Sequence, residues 1–157
     1  MTTLAVNREC MAADTRVVTG GSYYHAPKIF RIGTSILGTA GDGFPCLAFV
    51  DWFRSPQRKP LVLHRIFNDY DRDSIWIVEL NPGGIHFWNG WGYAEKILDE
   101  FFAVGSGGQA ALEAMRHGLT PEEAVARATT HDENTGAPVQ VEYLLPPELT
   151  RRKRRGK

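Results

Sequence analysis

Met1-Thr2-Thr3-Leu4-Ala5-Val6-Asn7-Arg8-Glu9-Cys10-Met11-Ala12-Ala13-Asp14 is the stretch from which the rest of the chain is read. Thr3–Val6 and Cys10–Ala13 are short β-prone runs around the polar Asn7-Arg8-Glu9, the pattern of a hairpin. A three-residue loop pairs Val6 with Cys10 and sets Thr2 opposite Asp14. Opposed residues hold their Cβ atoms about 4.5–5.5 Å apart. A two-residue loop would put Ala13 there instead and turn Asp14 away, because a one-residue slip changes the face. Thr2 follows the initiator Met, and its small side chain favours removal of Met1. That would leave a free α-amine beside the Thr2 hydroxyl, and such an amine can act as the threonine's own base.

Downstream, Lys28-Ile29-Phe30-Arg31-Ile32 alternates like a half-buried strand, and Ile36–Thr39 returns after Gly33-Thr34-Ser35. Ala40-Gly41-Asp42-Gly43 is a small-residue elbow. It precedes a helix over Pro45–Phe53 with Leu47, Val50 and Phe53 on one face. Leu61–Tyr70 reads equally as a short helix or a strand. Ser74–Leu80 and Ile85–Trp88 form a hairpin around Asn81-Pro82-Gly83-Gly84. Trp76, Trp88, Trp91 and Tyr93 read as core or subunit-contact aromatics. Glu100–Val104 is a strand running into Gly105-Ser106-Gly107-Gly108. A helix over Gln109–His117 ends at Gly118. Thr120-Pro121-Glu122-Glu123 then opens another helix with a capping box. Val139–Leu145 is the last strand.

Composition narrows the classes. A chain of 157 residues fits one domain with a single core. Residues 1–147 read as that domain, and 148–157 as a disordered basic tail. Its end, Arg151–Lys157, holds 6 of the 18 Lys and Arg residues, leaving the remainder at about −6. Aromatic residues do not interleave with these charges, so a docking or solubility segment fits better than a nucleic-acid arm. No apolar run is long enough to span a membrane. The start shows no basic segment followed by an apolar run, so no secretory signal is expected. Cys10 and Cys46 match no ligand pattern, which leaves zinc unsupported and favours a reducing cytoplasm.

Five segments in order resemble the proteasome β-type threonine peptidases, including the bacterial HslV-type subunits. They are Met1-Thr2-Thr3-Leu4, Met11–Arg16, Lys28–Ile32 with Thr39–Asp42, Phe102–Gly108, and Glu123–Val125 through Asp132–Gly136. The resemblance implies an N-terminal-nucleophile (Ntn) hydrolase of α+β class. Its fold would be an αββα four-layer sandwich of two antiparallel sheets covered by helices, with a shortened central helical segment. It also implies a threonine endopeptidase that needs no cofactor. Thr2 would be the nucleophile, and Lys28 the cation beside its amine. Asp14 would be that lysine's carboxylate, and Gly41 the oxyanion donor. Ser106 would bond the amine, and Asp132 and Thr135 would orient it. Thr135 stands where the family usually has serine, keeping the hydroxyl. Val17, Thr39 and Gly43 would line the substrate pocket, with cleavage after apolar side chains.

The same resemblance implies a homo-oligomeric ring, with hexameric and heptameric forms, a stacked double ring and an unclosed assembly all left open. It would act on peptides or unfolded proteins with an ATP-dependent unfoldase. Two alternatives share the fold: a catalytically silent ring scaffold, and an amidase for small molecules.

Overall fold

The computed structural model describes residues 2–59, 65–66, 74–88 and 92–145. Strands β1 (Thr3–Asn7) and β2 (Cys10–Asp14) form the expected hairpin. Its register pairs Leu4 with Ala13, Ala5 with Ala12 and Val6 with Met11. Side chains alternate across a strand, so Leu4, Val6, Met11 and Ala13 share one face, and Ala5 and Ala12 share the other. All six are buried. Both faces of this hairpin must therefore be covered, and that requirement builds the sandwich.

Strands β10 (Phe101–Gly105) and β11 (Val139–Tyr143) flank the hairpin, giving a sheet ordered β10-β1-β2-β11. A second sheet is ordered β5-β6-β7-β8-β9, from β5 (Ile29–Ile32), β6 (Ser35–Gly41), β7 (Ile75–Asn81), β8 (Gly84–Trp88) and β9 (Ala94–Ile97). Between the sheets, Leu4, Val6 and Met11 pack with Ile29, Ile36, Val78, Leu80 and Ile85. Gly38 faces this layer. A Cβ there would lie 2.1 Å from Leu4 Cδ1 and 2.5 Å from Met11 Sδ, so the sheets approach closely only because the side chain is missing.

On the outer face of the first sheet lie α2 (Gly108–Arg116) and α3 (Pro121–Ala128). Their Ala111, Ala114, Ala124 and Ala128 meet Ala5 and Ala12. Small residues on both sides bring helix and sheet backbones close. The capping box of α3 forms as its sequence dictates: Thr120 Oγ1 accepts from Glu123 N at 3.3 Å, and Glu123 Oε2 accepts from Thr120 N at 2.8 Å. On the second sheet lies α1 (Gly43–Arg54), with Phe49, Val50 and Phe53 over Leu37, Ile75 and Ile77. The layers are helix, sheet, sheet, helix. Strands β3 (Arg16–Thr19) and β4 (Ser22–His25) form a separate two-stranded ribbon.

Two sequence expectations are corrected, and two strands are added to them. The hairpin turns on Arg8-Glu9 alone, so Thr3, not Thr2, stands level with Asp14. Asn7 Oδ1 accepts from the N–H groups of Glu9 and Cys10 at 2.8 and 2.9 Å, which stabilises the tighter turn. Leu47 is 52% exposed, and α1 buries Cys46, Phe49 and Trp52 instead, since its inner face is set by where β6 delivers the helix. Strands β4 and β9 had no expectation; β9 carries the polar Glu95 and Lys96 that keep an edge strand solvated. Trp88 is core as expected, its ring 5.3 Å from Phe49 and 5.9 Å from Trp52. Apart from Arg65 and Ile66, the Leu61–Tyr70 expectation lies outside the described residues, as do Trp91 and the 148–157 tail. Among the described residues no helix is long and apolar enough to cross a membrane.

Candidate active site

Antiparallel pairing brings one end of several strands together: the start of β1, the end of β2, the start of β5, and the ends of β6 and β10. These positions hold Thr2 and Thr3, Asp14, Lys28, Gly41 and Ser106. The loop after α3 adds Asp132 and Thr135. The residues come from six segments spread over the chain, and the fold gathers them at one rim.

Asp14 is fully buried and each of its oxygens is doubly bonded. Oδ1 accepts from Thr3 N at 2.8 Å and from Lys28 Nζ at 3.0 Å. Oδ2 accepts from Arg16 N at 3.1 Å and Gly136 N at 3.3 Å. Lys28, also buried, donates a further bond from Nζ to the Arg16 carbonyl. Burial pushes the Lys28 amine below its ordinary 10.5, while the charges of Asp14 and Asp132 and the Asp14 hydrogen bond partly oppose that. A buried lysine held in this way can release a proton more readily than one in water.

A second group adjoins it. Thr135 Oγ1 donates to Asp132 Oδ2 at 2.5 Å, and Ser106 Oγ donates to the same oxygen at 2.5 Å. Asp132 Oδ1 accepts from Asn134 N and Nδ2 at 3.1 and 3.3 Å. Burial raises the Asp132 carboxyl, but the hydroxyls of Ser106 and Thr135 and the two Asn134 bonds outweigh it and hold it below its ordinary 3.8. A hydroxyl has one proton. Thr135 commits its proton to Asp132, so in the 2.5 Å contact with Thr3 Oγ1 it is Thr3 that donates. Ser106 likewise commits its proton to Asp132, since the Thr2 carbonyl is 3.5 Å away. That leaves Ser106 Oγ with lone pairs free to accept a hydrogen bond. The Ser106 backbone N–H holds the Thr2 carbonyl at 2.9 Å.

Thr3 thus touches both groups, through its N–H to Asp14 and its hydroxyl to Thr135. It is the residue sequence reasoning missed. The signal was present in the Thr-Thr pair, but the assumed register assigned Asp14 to Thr2. The correction has a useful consequence. Alternation along β1 puts Thr2 on the side of Leu4 and Val6, the side turned toward β5 and β6, where Lys28 and Gly41 lie. Thr2 is 5% exposed.

Gly41 has φ +106°, and a Cβ there would lie 1.8 Å from the Ser74 carbonyl, so only glycine fits the elbow. Gly107 has ordinary backbone geometry but leaves room for Thr3, since a Cβ there would lie 2.2 Å from Thr3 Oγ1. Of the three residues expected to line a substrate pocket, Thr39 is buried and its Oγ1 donates to the Lys28 carbonyl at 3.3 Å. Val17 is half-buried on β3 opposite Tyr24. Gly43 is the exposed first residue of α1, two residues beyond Gly41. A cleft of about 870 Å³ starts at Ser106 and Asp132 of this rim and runs along α2 and the end of α3, past Gln109, Glu113, His117 and Arg127. Among the described residues no three His, Cys, Asp or Glu side chains gather as metal ligands.

No protein-family model and no curated protein matches the sequence. Solved structures do match. Thiobacillus denitrificans BPH superposes with TM-score 0.68 at 23% identity, covering 92% of this chain and 98% of that one. The same protein in complex with epoxomicin gives 0.66 at 24%, covering 92% and 99%. Eukaryotic HslV from Trypanosoma brucei gives 0.66 at 20%, covering 91% and 98%. Near-complete mutual coverage at these TM-scores shows that the chain has the fold of Thiobacillus denitrificans BPH and of Trypanosoma brucei HslV.

Proposed function

We propose that the chain is a threonine-type endopeptidase subunit of the proteasome and HslV kind, active once Met1 is removed. Supporting this most directly is the single oxygen Asp14 Oδ1, which binds both the Thr3 N–H and the Lys28 ammonium and so couples that cation to the start of the chain. Thr2 Oγ attacks the peptide carbonyl, and the α-amine takes its proton. The Lys28 charge keeps that amine neutral and stabilises the threonine oxygen as it loses its proton. The lone pair of Ser106 accepts an amine N–H, with Asp132 and Thr135 fixing the serine. The Gly41 N–H stabilises the oxyanion, a contribution on the order of 10²–10³ in rate for one such donor. Collapse of the tetrahedral intermediate passes the proton to the leaving amine and leaves a Thr2 ester, which water hydrolyses. Val17, Thr39 and Gly43 bound the site that receives the residue before the cut bond. The subunit works within a homo-oligomeric ring supplied with unfolded protein by an ATP-dependent unfoldase.

Intact mass after incubation with epoxomicin, the compound solved with the Thiobacillus protein, tests the reading. The expected result is a single adduct on the Met1-free chain that is absent from Thr2→Ala. A Met1-free chain that takes no adduct and cleaves no unfolded protein overturns it, and favours a silent ring scaffold.

A further inference from the structure

We infer that Gln140 is a positioning residue that fixes where the Lys28 ammonium is delivered. Its functional meaning rests on the peptidase reading above, but its geometry does not. Lys28 precedes β5, the edge strand of the second sheet, and among the described residues no strand pairs with its outward side. Gln140 belongs to β11, the edge strand of the other sheet, and stands opposite Ala13. Its side chain crosses the gap between the sheets. Oε1 accepts from Lys28 N at 3.0 Å and from Ile29 N at 3.1 Å, and Nε2 donates to the Ile29 carbonyl at 2.7 Å. One planar carboxamide therefore supplies the acceptor and donor that a neighbouring strand would have supplied. From the other side, Thr39 N donates to the Lys28 carbonyl at 2.9 Å. The Lys28 backbone is gripped at both ends, and its side chain starts from a fixed point.

The same strand also fixes the acceptor. Val139, next to Gln140, pairs with Asp14. Strand β11 thus holds Asp14 through the ladder and Lys28 through Gln140, and it sets the spacing that yields the 3.0 Å ion pair. A second link joins the same two strands, from Arg31 to Glu142 at 3.1 Å and to the Tyr143 carbonyl. That link is partly exposed and lies farther along β5, so it is the natural control. The charged groups acting on the Lys28 amine are Asp14 from β2 and Asp132 from the loop after α3.

The experiment compares Gln140→Met, Gln140→Glu and Arg31→Ala. Acylation of Lys28 by acetic anhydride is followed across pH by peptide mass mapping, a readout that needs no enzymatic activity. Formation of the Thr2 epoxomicin adduct is followed in parallel. Gln140→Glu keeps an acceptor for both N–H groups and adds a negative charge, so the acylation midpoint should rise by about one pH unit. Gln140→Met frees the lysine, so acylation should quicken and Thr2 adduct formation slow, each by roughly tenfold. Arg31→Ala should change neither. Unchanged Lys28 acylation in folded Gln140→Glu overturns the inference, and so does an equal change in Arg31→Ala. Should Gln140→Met not fold, the Gln140→Glu midpoint alone decides. Should the wild type take no Thr2 adduct, the peptidase reading falls while Lys28 acylation still decides the role of Gln140.

Discussion

Replacing Asp14 by asparagine tests the core of the site in one step. The carboxylate is fully buried, and its two oxygens accept four hydrogen bonds, from Thr3 N, Lys28 Nζ, Arg16 N and Gly136 N. A carboxamide has one oxygen and one NH₂ group. Whichever way it turns, two of those donors meet an N–H instead of an acceptor. Lys28, with its side chain 7% exposed, also loses its counter-charge. Removing one partner of a buried pair costs about 3–5 kcal/mol. For a chain of this size each kcal/mol moves Tm by about 2–4 °C, so the fall should be roughly 6–20 °C. The Lys28 amine should drop further below its ordinary value, because Asp14 supplies the two largest influences holding it up. The assay is urea unfolding of the wild type, Asp14→Asn, Lys28→Met and the double variant. Once the stranded ammonium is gone, the double variant should be no less stable than Asp14→Asn alone, with a coupling of about 2 kcal/mol. An Asp14→Asn loss below about 1 kcal/mol, or a fully additive double variant, would refute the account.

Two other outcomes are expected. Thr3→Val deletes the hydroxyl that donates to Thr135, and Thr3→Ser keeps it. The valine variant should lose about 1–2 kcal/mol in thermal unfolding and the serine variant much less, and equal losses would place the effect in packing alone. The second concerns pH. Asp132 is held below 3.8, so its contribution is complete above that value and is lost as pH falls through its lower folded pKa. Lys28 is held below 10.5, so its buried-charge penalty is relieved as pH climbs from its folded pKa toward 10.5. Urea midpoints should therefore fall on the acid side and recover on the alkaline side. Asp132→Asn should flatten the acid limb, and an unaltered limb would remove Asp132 from the network.

What the sequence by itself determined was local and periodic. The alternation Leu4-Ala5-Val6 against Met11-Ala12-Ala13 required a hairpin covered on both faces. The Thr120-Pro121-Glu122-Glu123 cap set the start of α3 within its own four residues. Ordered motifs along the chain pointed to Thr2, Asp14, Lys28 and Ser106, among which the structure shows the Asp14–Lys28 ion pair and the Ser106–Thr2 backbone bond. Tertiary structure alone decided the hairpin register. The two-residue turn on Arg8-Glu9, held by Asn7, moved Asp14 from Thr2 to Thr3. Apolar alternation does not encode that choice, since both registers bury apolar side chains, and the bonds of Asn7 to Glu9 and Cys10 were not foreseen. It was settled by Gly107 making room for Thr3 and by Thr135 accepting its hydroxyl. Leu47 is exposed for a related reason: helical spacing gave a face, and the sheet beneath selected a different one. Gln140 lay beyond sequence reasoning altogether, because its partners are 111 and 112 residues away and on the other sheet. Periodicity specifies which side chains turn inward, while distances between segments far apart in the chain follow only from how the layers close on one another.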